Sequence, residues 1–328
     1  MADLKQIAQK YFAPEHIENI QNFDGRVIVT LIDTPENMAK AEDLKKELLT
    51  LEGVEKATVI FTRQKAAPVA PEMEKWQIKG VKHIIGVASG KGGVGKSTTA
   101  VNLALALANL GQKVAIFDAD IYGPSLPTML SFENTPPVSY DGKTFEPFEN
   151  YGIKAMSIGS LIDRDTPLIW RGSKACGAIE QMLKETNWGE IDIMVIDMPP
   201  GTGDIQLTLS QRLHFDGIVI VSTPQDIALI DAVKGVNMFE KINVKILGLV
   251  QNMAYYICPD CGKKAYIFGQ NGTKQTAERL GEKFLGDIPL DINIRENADA
   301  GTPIVAALPD SEHTKAYENI AQKIIKAL

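Results

Sequence analysis

No uninterrupted apolar run in this sequence comes near the roughly 18 residues that a membrane-spanning helix needs. The first residues, Met1-Ala2-Asp3-Leu4-Lys5-Gln6, carry no apolar signal region. Cysteine is scarce, at three in 328 residues. That is too few for a disulfide framework, and a reducing, cytoplasmic setting is expected. Basic blocks are missing as well, and the net charge is −7. Bulk attraction to nucleic acid or to an anionic membrane is therefore not expected. There is no internal repeat, and no low-complexity tract beyond one Ala/Pro-rich stretch. What remains is 45% hydrophobic and 23% charged, as in an ordinary globular chain. Its length suits one large α/β domain plus a small one.

The chain is organised around Gly90-Lys91-Gly92-Gly93-Val94-Gly95-Lys96-Ser97-Thr98. An apolar run, His83 to Ala88, precedes this stretch, and good helix formers, Ala100 to Ala108, follow it. Strand, glycine-rich turn and helix form the context of a phosphate-binding loop. The glycines let the backbone turn its N–H groups inward, and the helix N-terminus adds partial positive charge. Lys96 is expected to reach the β- and γ-phosphates of ATP, and the Ser97 hydroxyl to bind Mg²⁺. A hydride-transferring dinucleotide site is excluded, because the turn is not G-x-G-x-x-G.

Residues 1–65 read as a small α+β domain. Its expected elements are a helix over Leu4 to Phe12, a strand over Arg26 to Ile32, a helix over Met38 to Leu51 and a strand over Ala57 to Phe61. It holds no cysteine, so docking is a safer expectation for it than metal chemistry. Residues 66–77 read as a semi-rigid, exposed Ala/Pro linker. From 78 to 328, strands alternate with helices at βαβ spacing, which predicts a doubly wound, mainly parallel sheet. Tyr140-Asp141-Gly142-Lys143 is a hairpin-turn signal. The C-terminal stripe of Ile320, Ile324 and Leu328 predicts a helix packed on the body rather than on a membrane.

Several strands are expected to deliver acids at their carboxyl ends, where open α/β sheets gather their active groups. Lys113 to Phe117 ends at Asp118-Ala119-Asp120, and Ile193 to Ile196 ends at Asp197 before Met198-Pro199-Pro200-Gly201-Thr202-Gly203-Asp204. Asp197 is placed to hold Mg²⁺ through water. The Gly201 N–H is placed to sense the γ-phosphate in a switch. Ile246 to Val250 closes on Gln251-Asn252-Met253, and Tyr255-Tyr256-Ile257-Cys258-Pro259-Asp260-Cys261-Gly262 follows at once. A Cys-x-x-Cys holds two sulfurs close enough for one metal or cluster, yet zinc and [4Fe–4S] sites want about four ligands. Cys176 is isolated, and the four histidines do not neighbour Cys258 in sequence. Disulfide exchange is disfavoured by the Gly/Pro setting. Zinc and iron–sulfur remain open on these residues alone.

Lys91, the extra lysine early in the loop, resembles the deviant Walker A lysine of the P-loop ATPases that include MinD, ParA, the nitrogenase iron protein and the Mrp/ApbC iron–sulfur carriers. Asp118-Ala119-Asp120 with Ile121-Tyr122-Gly123-Pro124-Ser125, and the string Asp-Met-Pro-Pro-Gly-Thr-Gly-Asp, resemble switches I and II of the Mrp members. Trp170-Arg171-Gly172 resembles a further Mrp signature, with Ser173 where the family has proline. The resemblance covers the whole larger domain and implies a homodimeric ATPase. It gives Lys91 a role across the interface and Asp120 the alignment of the attacking water, while Asp118 helps shape the metal site. Asn252 would read adenine, with Pro289 and its neighbours flanking it. The Mrp likeness implies that Cys258 and Cys261 from two protomers hold one bridging [4Fe–4S] cluster. That cluster would be passed, with ATP hydrolysis and relaxation of switch II, between scaffold proteins and apo iron–sulfur proteins. A MinD/ParA-like positioning ATPase with a structural zinc is the alternative.

Overall fold

The computed structural model describes residues 4–23, 25–51, 53–62, 75–161 and 172–328. The chain divides into two compact units, Met1–Met73 and Glu74–Leu328.

In the first unit α1 (Leu4–Gln9) is followed by β1 (Ile17–Phe23), β2 (Arg26–Ile32), α2 (Pro35–Leu49) and β3 (Lys56–Thr62). The sheet order is β1-β2-β3, antiparallel then parallel. Alternate β2 residues Val27, Val29 and Leu31 pack with Leu44 and Leu48 of α2 in a small core. The second helix starts three residues before the expected Met38. Thr34 caps it by accepting the Asn37 N–H, and Pro35 occupies its first turn. Strand β1 was not expected, because Ile17-Glu18-Asn19-Ile20-Gln21-Asn22 is a polar edge strand without a β-branched run.

The second unit runs β4 (Val81–Ala88), α3 (Lys96–Asn109), β5 (Val114–Asp118), α4 (Leu126–Met129), β6 (Phe148–Asn150), β7 (Ile153–Ser157), α5 (Gly172–Glu185), β8 (Ile191–Asp197), α6 (Asp204–Arg212), β9 (Gly217–Ser222), α7 (Asp226–Lys241), β10 (Ile246–Gln251), β11 (Tyr256–Ile257), β12 (Lys264–Ala265), α8 (Gly272–Leu280), β13 (Phe284–Asp287), α9 (Ile292–Asp299), α10 (Ile304–Ala307) and α11 (Glu312–Ile325). Eight strands form one sheet in the order β13-β10-β9-β4-β8-β5-β7-β6. All neighbours are parallel except β6 and β7. Helices cover both faces. Ile85 and Val87 of β4 join the core formed with α3 and α11, while Ile84 and Ala88 join the opposite core formed with α5 and α7. Burial on both faces explains why these strands read as continuous apolar runs. From β4 the chain first winds to one side, through β5 and β8, and then to the other, through β9 and β10. The P-loop therefore leaves the sheet where the winding reverses, which is where doubly wound sheets hold ligands.

Two expectations are corrected here. Asp141 accepts the N–H groups of Lys143 and Thr144 in a local turn that joins no strands. The hairpin lies later, where Asn150 pairs with Ile153 and the turn residues Tyr151 (φ 50) and Gly152 (φ 75) are both left-handed. Trp76, expected in exposed linker, is only 4% exposed, and its backbone N–H donates to Arg212 O at 2.7 Å. Its indole is the physical reason, since so large an apolar ring gains most by joining the core. The remaining linker positions 66–74, with Trp170 and Arg171, lie outside the described residues. Helix α11 packs as expected, with Ile320 and Ile324 fully buried on the α3 side.

Candidate functional site

The P-loop is built by backbone constraints. Gly93 (φ 79) and Gly95 (φ 81) take left-handed conformations that other residues enter at a cost, and Gly95 ends the turn as the N-cap of α3. Gly90 lies so close to α7 that a Cβ there would stand 2.1 Å from the Asp231 carbonyl carbon. Val94 is buried and anchors the loop in the core.

Lys96 opens α3, and its buried ammonium donates to Asp197 Oδ1 at 2.5 Å and to Ser97 Oγ at 3.1 Å. Asp120 Oδ2 lies 3.7 Å away. The other Asp197 oxygen, Oδ2, is buried with no hydrogen-bond partner. A buried, orphaned carboxylate oxygen beside a serine hydroxyl suits a hard divalent cation. Ser97 and Asp197 therefore fit Mg²⁺.

Asp118, expected to help shape the metal site, is fully buried and well supplied with donors. Its Oδ1 accepts the Asp120 N–H, and its Oδ2 accepts from Ser125 N, Leu126 N and Ser157 Oγ. Through these four donors it folds the loop that presents Asp120. Burial first, then the Asp197 charge, raises its pKa to about 7 against the pull of Lys96. Burial raises Asp120 too, again opposed by Lys96.

A cavity of about 260 Å³ opens over this cluster, lined by Gly92, Gly95, Lys96, Ser97, Asp120 and Pro200. A second, of about 200 Å³, shares Thr98 and Met129 with it and is lined by Asn252, Met253, Pro289 and Leu290. Together they make a phosphate end and a more apolar end, the division that a nucleotide requires. The structure thus brings Lys96, Ser97, Asp120, Asn252 and Pro289 to one place. Asn252 also supports the loop, donating from Nδ2 to Val94 O at 2.8 Å. The Gly201 (φ 86) N–H, expected at the γ-phosphate, donates here to Ser89 O at 2.9 Å. Lys91 lines neither cavity, and its half-buried side chain has no partner among the described residues. Sequence reasoning missed Ser89, directly before the P-loop, and Met129, from a segment without a motif, while Leu290 is among the neighbours of Pro289 expected to flank the base. The left-handed Met253 (φ 54) carried no signal at all.

Cys258 and Cys261 occupy the tip of a hairpin. Tyr256 and Ile257 pair with Ala265 and Lys264, Cys258 N donates to Lys263 O, and Gly262 N donates back to Cys258 O. The N–H groups of Cys261 and Asp260 point at the Cys258 sulfur and lower its pKa, which favours the thiolate that binds metal. Lys264 lies over the Tyr255 ring at 3.4 Å, a contact contributing about 0.5–1 kcal/mol at such sites. Among the described residues no group of three or more His, Cys, Asp or Glu could hold a metal ion. Among the described residues the hairpin therefore offers one pair of thiols, Cys258 and Cys261. Cys176 is separate, on α5, where burial raises its thiol pKa.

Residues 80–325 match the family model of ParA: NUBPL iron-transfer P-loop NTPase. The chain belongs to this family. Members that resemble it include the "Iron-sulfur cluster carrier protein" of Escherichia coli K12, 54% identical over 76% of this chain and 68% of that one. The "Iron-sulfur cluster transfer protein NUBPL" of Mus musculus is 51% identical over 76% and 79%. Among solved structures, a nucleotide-binding protein of Archaeoglobus fulgidus in complex with ADP is 36% identical with a TM-score of 0.64, covering 73% of this chain and 93% of that one. The cell-division ATPase MinD of Pyrococcus furiosus, 24% identical with a TM-score of 0.59 over 75% and 99%, shares the fold. The family fold is the doubly wound P-loop NTPase read from the sequence.

Proposed function

We propose that this chain is an ATP-dependent carrier that holds a [4Fe–4S] cluster between the Cys258–Cys261 pairs of two protomers and delivers it to apo iron–sulfur proteins. The observation that carries the reading is the preorganised thiolate hairpin with only two ligands, a few residues beyond the base cavity of a P-loop NTPase. Two-fold symmetry supplies the missing pair, because a second copy brings the same hairpin to the axis. Relatives at 48–54% identity named as cluster carriers support it, and they favour it over a positioning ATPase with structural zinc. Bacterial carriers and a mitochondrial relative share the likeness; for this chain we assign the cytoplasm.

The residues divide the work. Gly92 to Thr98 present backbone N–H groups to the ATP phosphates, and Lys96 leaves the Asp197 carboxylate to reach the γ-phosphate. Mg²⁺, held by Ser97 and by Asp197 through water, would neutralise phosphate charge. Asp120, presented by the Asp118-centred loop, orients the attacking water. Lys91 reaches the partner's nucleotide, which gives ATP control over dimer closure. Asn252 and Pro289 hold the base. The Gly201 N–H exchanges Ser89 O for the γ-phosphate and so registers hydrolysis.

Anaerobic iron–sulfur reconstitution with iron, sulfide and zinc analysis tests this on wild type and on the Cys258→Ala/Cys261→Ala variant. About four iron and four sulfide per dimer are expected in wild type and none in the variant. About one zinc per dimer without iron would overturn the carrier reading.

A further inference from the structure

The loop that closes the base cavity and the cysteine hairpin form one hydrogen-bonded unit. Asn252 is held at both ends, its N–H donating to Ser222 O and its Nδ2 to Val94 O of the P-loop. Met253 follows in a left-handed conformation, which a methionine keeps only when its surroundings hold it there. Its side chain lines the base cavity. Ala254 N then donates to Ile288 O, and Leu290 N donates to Tyr255 O, so the hairpin root is laced to the 288–290 segment, whose Pro289 and Leu290 line the same cavity. From Tyr255 the link runs through its ring to Lys264, in the strand opposite Ile257, one residue before Cys258. Only six positions separate Asn252 from Cys258. Among the described residues no hydrogen bond joins 197–204 to the hairpin.

We propose that Tyr255 is a positioning residue that couples the base cavity to the cysteine pair. A purine entering the cavity must press on Met253 and Leu290, and both are fastened to the hairpin root. The hairpin then re-aims as a small rigid body, with the Tyr255–Lys264 contact as its outer fastening. The inference rests on the carrier reading and adds the route by which nucleotide reaches the cluster ligands. It makes the base, rather than the γ-phosphate alone, a determinant of cluster retention.

The test reads thiol chemistry on the full-length chain, anaerobically and after iron has been removed by chelation. N-ethylmaleimide labelling of the peptide carrying Cys258 and Cys261 is followed by mass spectrometry, with and without Mg·AMPPNP, using Cys176 as internal reference. In wild type the nucleotide is expected to change the labelling rate by about fivefold or more, the usual scale of coupling between sites. Tyr255→Ala is expected to bring that ratio close to one with ATP affinity unchanged, while Tyr255→Phe, which keeps the ring over Lys264, retains the wild-type response. Lys264→Ala, at an exposed side chain, removes the same contact from the other side and should behave like Tyr255→Ala. Nucleotide-insensitive labelling in wild type, or a full response in both ring-contact variants, overturns the proposal. Clusters that assemble normally alongside nucleotide-blind thiols would sink this inference alone, whereas failure of cluster assembly sinks the carrier reading.

Discussion

Lys96 Nζ lies 2.5 Å from Asp197 Oδ1, a contact between buried side chains 101 positions apart. Lys96 is also the cation that opposes the upward shifts of Asp118 and Asp120. One ammonium thus balances a cluster of buried carboxylates, which gives the P-loop lysine a structural role. Removing one partner of a buried ion pair leaves uncompensated charge, at about 3–5 kcal/mol. Lys96→Ala is therefore expected to lose ATP binding and to unfold at markedly lower urea. The deficit should shrink as pH falls from about 8 to about 6, because Asp118, already raised to about 7, rises further without Lys96 and takes up a proton instead. Equal deficits at both pH values would show that the cluster carries no net charge stress.

Asp118 makes its own pH prediction. Burial raises its folded pKa from 3.8 to about 7. The folded chain therefore keeps a proton that the unfolded chain gives up. This group's contribution to stability is complete below pH 3.8 and is lost as pH rises through about 7. Asp118→Asn cannot titrate, so the stability advantage of wild type over that variant should fall across the window. Part of the advantage should survive at high pH, since the asparagine cannot accept from all four donors that meet the carboxylate. Denaturant midpoints of both proteins from about pH 5 to pH 8 check this. A constant difference would mean that Asp118 is ionised throughout.

Two neighbouring glycines separate loop packing from phosphate contact. A methyl group at Gly90 would collide with the α7 backbone, whereas one at Gly92 meets nothing within 4 Å. Gly90→Ala is expected to lower stability by about 1–3 kcal/mol as the loop is pushed off α7. Gly92→Ala should unfold like wild type, so any weakening of ATP binding there reports crowding at the phosphates. Calorimetric unfolding beside nucleotide titration distinguishes the two.

Much of this architecture is legible because parallel strands buried on both faces must be continuous apolar runs. Those of β4, β5, β8, β9 and β10 each end at a chemically distinctive residue or loop. The P-loop is legible for a related reason, since few sequences other than a glycine-rich one could follow its backbone. The hairpin at Tyr151-Gly152 escaped because tertiary packing holds a tyrosine in a conformation that local preference assigns to glycine or asparagine. Strand β1 escaped because an edge strand needs no apolar run. Of the base cavity, Asn252 and Pro289 were readable only through the family likeness. Met129 and Leu290 meet there only after the chain has crossed the sheet, and no local pattern encodes that meeting. The lacing of Ala254 and Tyr255 to Ile288 and Leu290 is of the same kind.

Lys91 and Asp120 allow a test of whether the site is shared. Lys91 has no partner among the described residues and lines neither cavity, whereas Asp120 lines the cavity over its own chain's P-loop. If Lys91 acts across the dimer, Lys91→Ala and Asp120→Asn are each nearly inactive as ATPases, because each spoils both sites. A hybrid dimer differs. The Asp120→Asn chain lends its intact Lys91 to the site whose Asp120 is intact, and one complete site results. Random mixing makes half the dimers hybrid with one good site each, so an equal mixture should recover roughly a quarter of wild-type turnover. If Lys91 serves only its own chain, each hybrid contains one site lacking Lys91 and one lacking Asp120, and mixing restores nothing. Steady-state ATPase rates of the two variants, alone and mixed after subunit exchange, decide between these arrangements.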